Sequence, residues 1–460
     1  MARGSFGRSF KRLLIFVGIV AVIFAGLAAF RSGPPPKVTI ASEIPGIGKR
    51  TPVTVKVEEP RRGLAGFRVE LVQGDRVEVL AEHHFLPLEA WEFWGQRQAS
   101  DELTVDVGSE TVKGLREGEA SIRVVVRRAG ALLRRPDPVV ETLTLPVRLK
   151  PPTLEVVSHN TYVDQGGCEA VVYRVGPTAV RDGVEAGKWW FPGFPLPGGD
   201  AQERFALFAV PYDVSQPTGI RLVASDDVRN ESRASFIDRF RERPFKTDTI
   251  ALSDDFIERV VPAILDQSPE LSSSGDALKD FLTVNGDLRR RNAATLVELA
   301  QRSKPEFLWR QPFLPMRNAQ VMSAFADRRT YVYDGRAVDQ QDHLGFDLAS
   351  TARAEIQAAN DGVVMLARYF GIYGNTVVLD HGYGLLTLYG HLSTIDVEEG
   401  QSVARGDAVG RSGATGLAGG DHLHFTILLQ GLPVNPAEWW DEHWIKDRLD
   451  LKLAAALPFE

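Results

Sequence analysis

Two histidines two residues apart can act together only where the chain is extended. In His422-Leu423-His424, a helix would splay the two rings by about 200°, whereas a strand sends both to one face. The residues that follow, Phe425-Thr426-Ile427-Leu428-Leu429, make an apolar run of strand length. The spacing therefore predicts a buried β-strand. Upstream, His343 and Asp347 stand four apart in HLGFD, on one side of a strand or one face of a helix. Gly345 between them, and Gly335 before them, argue against the helix. His391 follows in YGH. Imidazole and carboxylate are zinc ligands, and a catalytic zinc keeps three protein ligands and an open position. Three such clusters in order point to a metal site with bases beside it. His83, His84, His159 and His443 lack any partner pattern and read as ordinary.

The surrounding residues divide into structural and functional candidates. Asp380-His381-Gly382-Tyr383-Gly384 lies between two apolar runs and reads as a hairpin turn, with His381 structural. Asn375 and Tyr389 are milder candidates for a groove wall; on a regular strand Tyr389 shares the face of His391. The glycines from Gly400 to Gly420 resemble a phosphate loop only superficially. They lack a P-loop's GKS/T ending and a following nucleotide-binding helix. Tight turns between short strands explain them better. A lipoyl-type carrier would need a lysine at the turn, and none is suitably placed.

The stretches SAFADR (323–328), HLGFDL (343–348), YGNTVVLDHGYGLLTLYGHLS (373–393), VEEGQSVARGDAVGRSGATG (397–416), HLHF (422–425) and VNPAEWW (434–440) together resemble the LytM-type zinc metallopeptidases of family M23. The resemblance implies a compact antiparallel-β domain over 309–445, with the site in a groove. It implies Zn²⁺ held by His343, Asp347 and His424, with His391 and His422 as the non-ligand catalytic histidines. It also implies an endopeptidase acting on the peptides of peptidoglycan. The alternative within the family is a LytM-type regulator that binds wall amidases or peptidoglycan without chemistry. Such regulators typically lose ligands, and this sequence keeps all three. Ala324 and Ala326 depart from the family, which often has Gly there.

The N-terminus suggests where such chemistry happens. Residues 1–12 carry Arg3, Arg8, Lys11 and Arg12 and no acid. Leu13–Phe30 is uncharged and just long enough to span a bilayer. Basic flanks stay cytoplasmic, so the expectation is an uncleaved, single-pass anchor over 13–30 in the inner membrane, with the rest in the periplasm. A cleaved signal peptide is the rival. Cys168 is the sole cysteine, which excludes an intramolecular disulfide and a cysteine-ligated zinc. A net charge of −7 gives no reason to expect nucleic-acid binding.

Between anchor and site the chain is expected to be mainly β. A proline-rich linker (31–37) leads to a β-rich module (38–150) with alternating segments such as VTVKVEE and FRVELV. After Lys150-Pro151-Pro152 a second, Ig-like β module covers 151–245. Spacing, or contact with envelope proteins, is the default role of both modules. Over 246–308 the period becomes helical, with Ser253 as N-cap, Asp254 and Asp255 in the first turn, and Pro262 placed to kink or shorten the helix. This connector reads as a packing brace or as a lid over the groove. Residues 446–460 are expected to form a C-terminal tail.

Overall fold

The computed structural model describes residues 6–31, 34–92 and 94–458. Arg3 of the basic flank, Ser32 and Gly33 of the linker, and the last two residues of the tail lie outside them. Helix α1 (Phe6–Phe30) starts in the basic flank and is apolar on all sides from Leu13 onward, and its Ser9–Phe30 stretch is long and apolar enough to cross a membrane. A helix apolar all round has no polar face to offer water. The chain otherwise divides into two compact units, Met1–Pro152 with Ser225–Glu231, and Thr153–Ala224 with Ser232–Glu460.

The first unit contains a two-sheet sandwich. A three-stranded sheet (Lys37–Ser42, Thr51–Glu58, Ser100–Val107) faces a four-stranded one (Arg76–His84, Gly66–Gln73, Gly118–Arg127, Val139–Val147). Period-two alternation aims Val53, Val55 and Val57 inward against Phe67, Val69, Ile122 and Val124. His83 belongs here and pairs with Asp101.

Two four-stranded sheets are built from residues 154–234, most of which belong to the second unit. Their core does not end with the module. Phe205 stacks on Phe307 and meets the Tyr383 ring edge-on, with ring centroids 5.5 and 5.0 Å apart, and one hydrophobic core runs from Ala170 through to Val434 and Trp439. The segment expected as a tail is wound into helical turns. Its Leu449, Leu453 and Leu457 are buried in that core, and Lys452 pairs with the buried Glu169 at 3.0 Å.

The C-terminal domain is an antiparallel sheet. Its strands run in the order Gln320–Ser323, Phe346–Ala349, Leu423–Leu429, Leu385–Leu392, Asn375–Asp380, Gly362–Tyr369 and Ser402–Val403, with Leu432–Val434 pairing on Leu423–Leu429. Leu423–Leu429, buried throughout, is thus a central strand that holds the last three residues of the HLHF run, with His422 just before it in an isolated bridge to Gly413 and half-buried.

The helical segment holds three helices. Helix α2 (Asp254–Asp266) starts at Ser253, whose Oγ accepts from the Phe256 N–H, and continues through Pro262. Helix α3 (Ala277–Thr283) is capped by Asp276. A π turn at Val284–Leu288 leads into helix α4 (Arg289–Ala300). The apolar faces of α2 and α3 (Ile257, Val261, Ile264, Phe281) pack on Tyr331 and Ile372. Leu296 and Leu299 of α4 pack on Val378, Leu386 and Leu428 of the large sheet. A strand before α2, Thr247–Ala251, pairs in parallel with Asp327–Tyr333.

Candidate metal centre

Asp347 and His424 are register partners on adjacent strands, and Gly390 faces His424 from the other side. His343 arrives separately, at the end of the Arg336–His343 strand in a three-stranded sheet. Leu344-Gly345 carries the chain across to the strand of Asp347. The four-residue spacing is therefore neither one strand nor one helix turn, but a crossing between sheets. Gly345 is needed at that crossing. A Cβ there would lie 2.7 Å from His424 Nε2 and 2.5 Å from Thr426 Oγ1.

Three ligand atoms converge. His343 Nε2 lies 2.9 Å from Asp347 Oδ1, His424 Nδ1 lies 3.0 Å from the same oxygen, and the two nitrogens are 3.1 Å apart. Ligands around a tetrahedral zinc stand roughly 3.3 Å from one another, given bonds of about 2.0–2.1 Å. The outer hydrogen bonds assign the tautomers. His343 Nδ1 donates to the Ala324 carbonyl at 3.0 Å. Thr426 Oγ1 donates to the Leu344 carbonyl, so it accepts from His424 Nε2 at 2.9 Å. Both remaining ring nitrogens then present lone pairs towards a carboxylate oxygen. Three lone pairs facing one another without a proton between them suit a bound cation. Arg329 holds the other carboxylate oxygen, Asp347 Oδ2, at 2.6 Å.

Charge follows burial and neighbours. Burial alone would raise the Asp347 carboxyl, but His343, His422 and His424 around it outweigh this and hold it well below the usual range. Burial lowers His424 to about 4, so its ring is neutral at neutral pH.

The two other histidines border the triangle. His391 ends the stretch Tyr389-Gly390-His391 with φ +63°, in the left-handed region. Such a residue carries about 1–3 kcal/mol of strain and persists where the surroundings enforce it. The kink coincides with a register shift against Asn375–Asp380 and breaks the strand's alternation. It turns His391 to within 4.8 Å of the His422 ring and 5.7 Å of the His424 ring, between centroids. His391 Nδ1 donates to the Thr415 carbonyl at 2.8 Å, which leaves Nε2 as its free nitrogen. His422 Nδ1 donates to the Gly420 carbonyl at 2.8 Å, and its Nε2 stands 3.5 Å from Asp347 Oδ1. Burial, then His422 and His424, push His391 well below its ordinary value. Burial also acts to lower His422, but Asp347 outweighs it and the net shift is upward.

The milder candidates separate. Tyr389 does not share the face of His391. It is buried, with its hydroxyl accepting from the Ala359 N–H at 2.7 Å. His381 is fully buried in its turn, bonded to the Asp361 carbonyl and to Thr387 Oγ1 at 2.7 and 2.8 Å. Asn375 is half-buried, and its N–H donates to Thr415 Oγ1. Arg329, Thr415 and Tyr373 gather at the site from other strands and loops, with no motif spacing to announce them, while Thr426 lies two residues beyond His424 on the same strand.

A cavity of about 380 Å³ opens onto His343, Asp347, His391, His422 and His424. Leu252, Phe256, Phe281 and Arg289 of the helical segment line its far wall. A second cavity, of about 960 Å³, reaches His424 and Tyr373 between α4 and the Trp189-Trp190 hairpin.

Residues 341–436 match peptidase family M23. The chain is 32% identical to the peptidoglycan DD-endopeptidase ShyA of Vibrio cholerae, over 37% of this chain and 36% of that one. It is 37% identical to ShyB of the same organism, over 25% and 26%. It is 40% identical to the DD-carboxypeptidase/endopeptidase Mpg of Neisseria meningitidis, over 20% and 22%. The chain thus spans about a third or less of the lengths of these relatives.

Proposed function

We propose that this chain, which carries a peptidase family M23 domain, is a membrane-anchored zinc endopeptidase that hydrolyses peptide bonds of peptidoglycan on the periplasmic side of the inner membrane. The observation that carries this reading is the convergence of His343 Nε2, His424 Nδ1 and Asp347 Oδ1. A bound zinc would supply Lewis acidity and a water whose pKa falls towards about 7. The chain's own residues do the rest. His391 and His422 each spend Nδ1 on a backbone carbonyl and so keep a fixed Nε2 for the reacting groups. One takes the proton of the attacking water; the other donates to the oxygen that becomes negative as the carbonyl turns tetrahedral. The names of the relatives support the peptidoglycan substrate. The apolar helix α1 behind a basic flank supports the anchor.

Digestion of purified sacculi by the detergent-solubilised full chain, with analysis of the released muropeptides, tests the reading. His424→Ala is expected to lose both zinc and cleavage. His391→Ala is expected to keep stoichiometric zinc and lose cleavage. Cleavage surviving both substitutions overturns the mechanism, and stoichiometric zinc without cleavage of any sacculus points instead to a non-hydrolytic regulator.

A further inference from the structure

Arg289 stands where the two cavities meet. It lines both, together with Tyr373 and His424. Arg289 is half-buried and, among the described residues, its guanidinium forms no ion pair with a carboxylate. Its hydrogen bonds go to one residue: Nε donates to the Asn285 carbonyl at 3.0 Å and Nη2 to Asn285 Oδ1 at 2.6 Å. Asn285 is itself fully buried, and its Nδ2 donates to Asp339 Oδ2 at 2.8 Å. The chain Asp339–Asn285–Arg289 therefore fixes the guanidinium from behind without neutralising it. The site's other arginine differs in this respect, because Arg329 is already taken by Asp347. The π turn Val284–Leu288 sets up the arrangement by placing Asn285 beneath Arg289. Such single π turns are frequent at functional sites.

A fixed, partly desolvated guanidinium beside an active site, lacking an anion of its own, is a carboxylate receptor. We propose that Arg289 binds a free carboxylate of an anionic peptide substrate, and that the larger cavity behind it receives the branch of the substrate carrying that group. This rests on the peptidase reading above and deepens it. Peptidoglycan stem peptides carry free carboxylates that are not part of the bond cut, and amidation removes their charge. The helical segment then contributes directly to the substrate site, and Arg289 is a specificity residue that lies outside the family-matched stretch.

Two cross-linked peptides that differ only in whether the side carboxylates are free or amidated test this. With the full chain in detergent, the free-carboxylate form is expected to be preferred by roughly tenfold or more in kcat/KM, mainly through KM, as befits one charge-assisted pair. Arg289→Gln should bring that ratio close to one, and Arg289→Lys should restore part of it. Equal use of the two forms by the unsubstituted chain overturns the proposal, and so does a ratio that Arg289→Gln leaves intact. Calorimetric binding of the same two peptides to the zinc-loaded His391→Ala variant, with and without Arg289→Gln, separates the readings. Absence of cleavage by the unsubstituted chain, with a carboxylate preference in binding that depends on Arg289, defeats the peptidase and keeps the receptor. Cleavage of both forms with no such preference in binding does the reverse.

Discussion

At the scale of single residues, the site depends on two small side chains as much as on its ligands. Gly345 lies where the His424 ring passes over the crossing from one sheet to the other. Gly345→Ala pushes a methyl into His424 Nε2 and into the Thr426 hydroxyl that orients it. Supporting groups of this kind typically contribute 10–100-fold in metal affinity. Gly345→Ala is therefore expected to weaken zinc binding by at least tenfold in competition with a chromophoric chelator, with the fold retained by circular dichroism. Unchanged affinity would mean that the strand gives way without moving His424. Ala326 carries the opposite mismatch, a β-carbon at φ +64°. The family resemblance has glycine at such positions, and the left-handed conformation explains why. Ala326→Gly should raise stability by up to about 1 kcal/mol, since relief of the left-handed strain exceeds glycine's extra entropy. A lower urea midpoint would show that the buried methyl's packing outweighs the strain. His422 and His424 were legible because their spacing has one useful geometry. Arg329 was not, since it meets Asp347 from another strand and no local pattern encodes that; Thr426, two residues past His424 on one strand, was within reach of the same period-two argument. Tyr389 misled for a related reason: the alternation it relied on breaks at His391.

At the scale of elements, the helical segment meets the groove in two places. Helix α4 sits on the large sheet through Leu296 and Leu299 and presents Arg289. Helix α2 and the strand before it bring Leu252 and Phe256 over the metal site, held by a smaller cluster that includes Ile257, Val261 and Ile264. A charge buried in that cluster should release α2 while leaving α4 in place. Ile264→Asp is expected to speed amide exchange across 254–266 without exposing Leu423–Leu429. It is also expected to increase cleavage of intact sacculi more than cleavage of a short soluble peptide, because the bulky substrate has most to gain from an open groove. Faster exchange in α2 with slower sacculus cleavage would identify α2 as part of the substrate site rather than a cover. The start of α2 was readable, since Ser253, Asp254 and Asp255 are local signals for a helix N-terminus. Pro262 was expected to kink or shorten the helix, and α2 continues past it to Asp266. The π turn and the parallel pairing of Thr247–Ala251 left no trace in the sequence, because both depend on distant partners.

At the scale of the whole molecule, the sequence shows modules and conceals how the second unit is joined. Composition separates a β-rich stretch before 245 from the site after 309, but a shared core is a property of surfaces that meet only on folding. The aromatic contacts of Phe205 with Phe307 and Tyr383 are part of that junction, and Glu438 is another. Glu438 reads in VNPAEWW as one more motif residue. In the fold it is buried, and its Oε2 accepts from the Cys168 N–H at 2.7 Å across 270 residues of chain. Burial raises its carboxyl to about 8, against roughly 4.3 in an unfolded chain. A raised carboxyl pKa means that the folded state binds the proton more tightly than the unfolded one. This contribution to stability is complete below about pH 4.3 and is lost progressively as pH rises towards about 8. Glu438→Gln keeps an acceptor for Cys168 and removes the titration. Its Tm, measured against the unsubstituted chain at each pH, should therefore gain from pH 5 to about pH 8 and level off above that. Taking the difference between the two chains cancels every other titrating group. A difference that stays flat across that range would mean that Glu438 is ionised in the fold, stabilised by the nearby Arg243, and that the junction between the second β module and the peptidase domain is held by an ion pair rather than by a protonated acid.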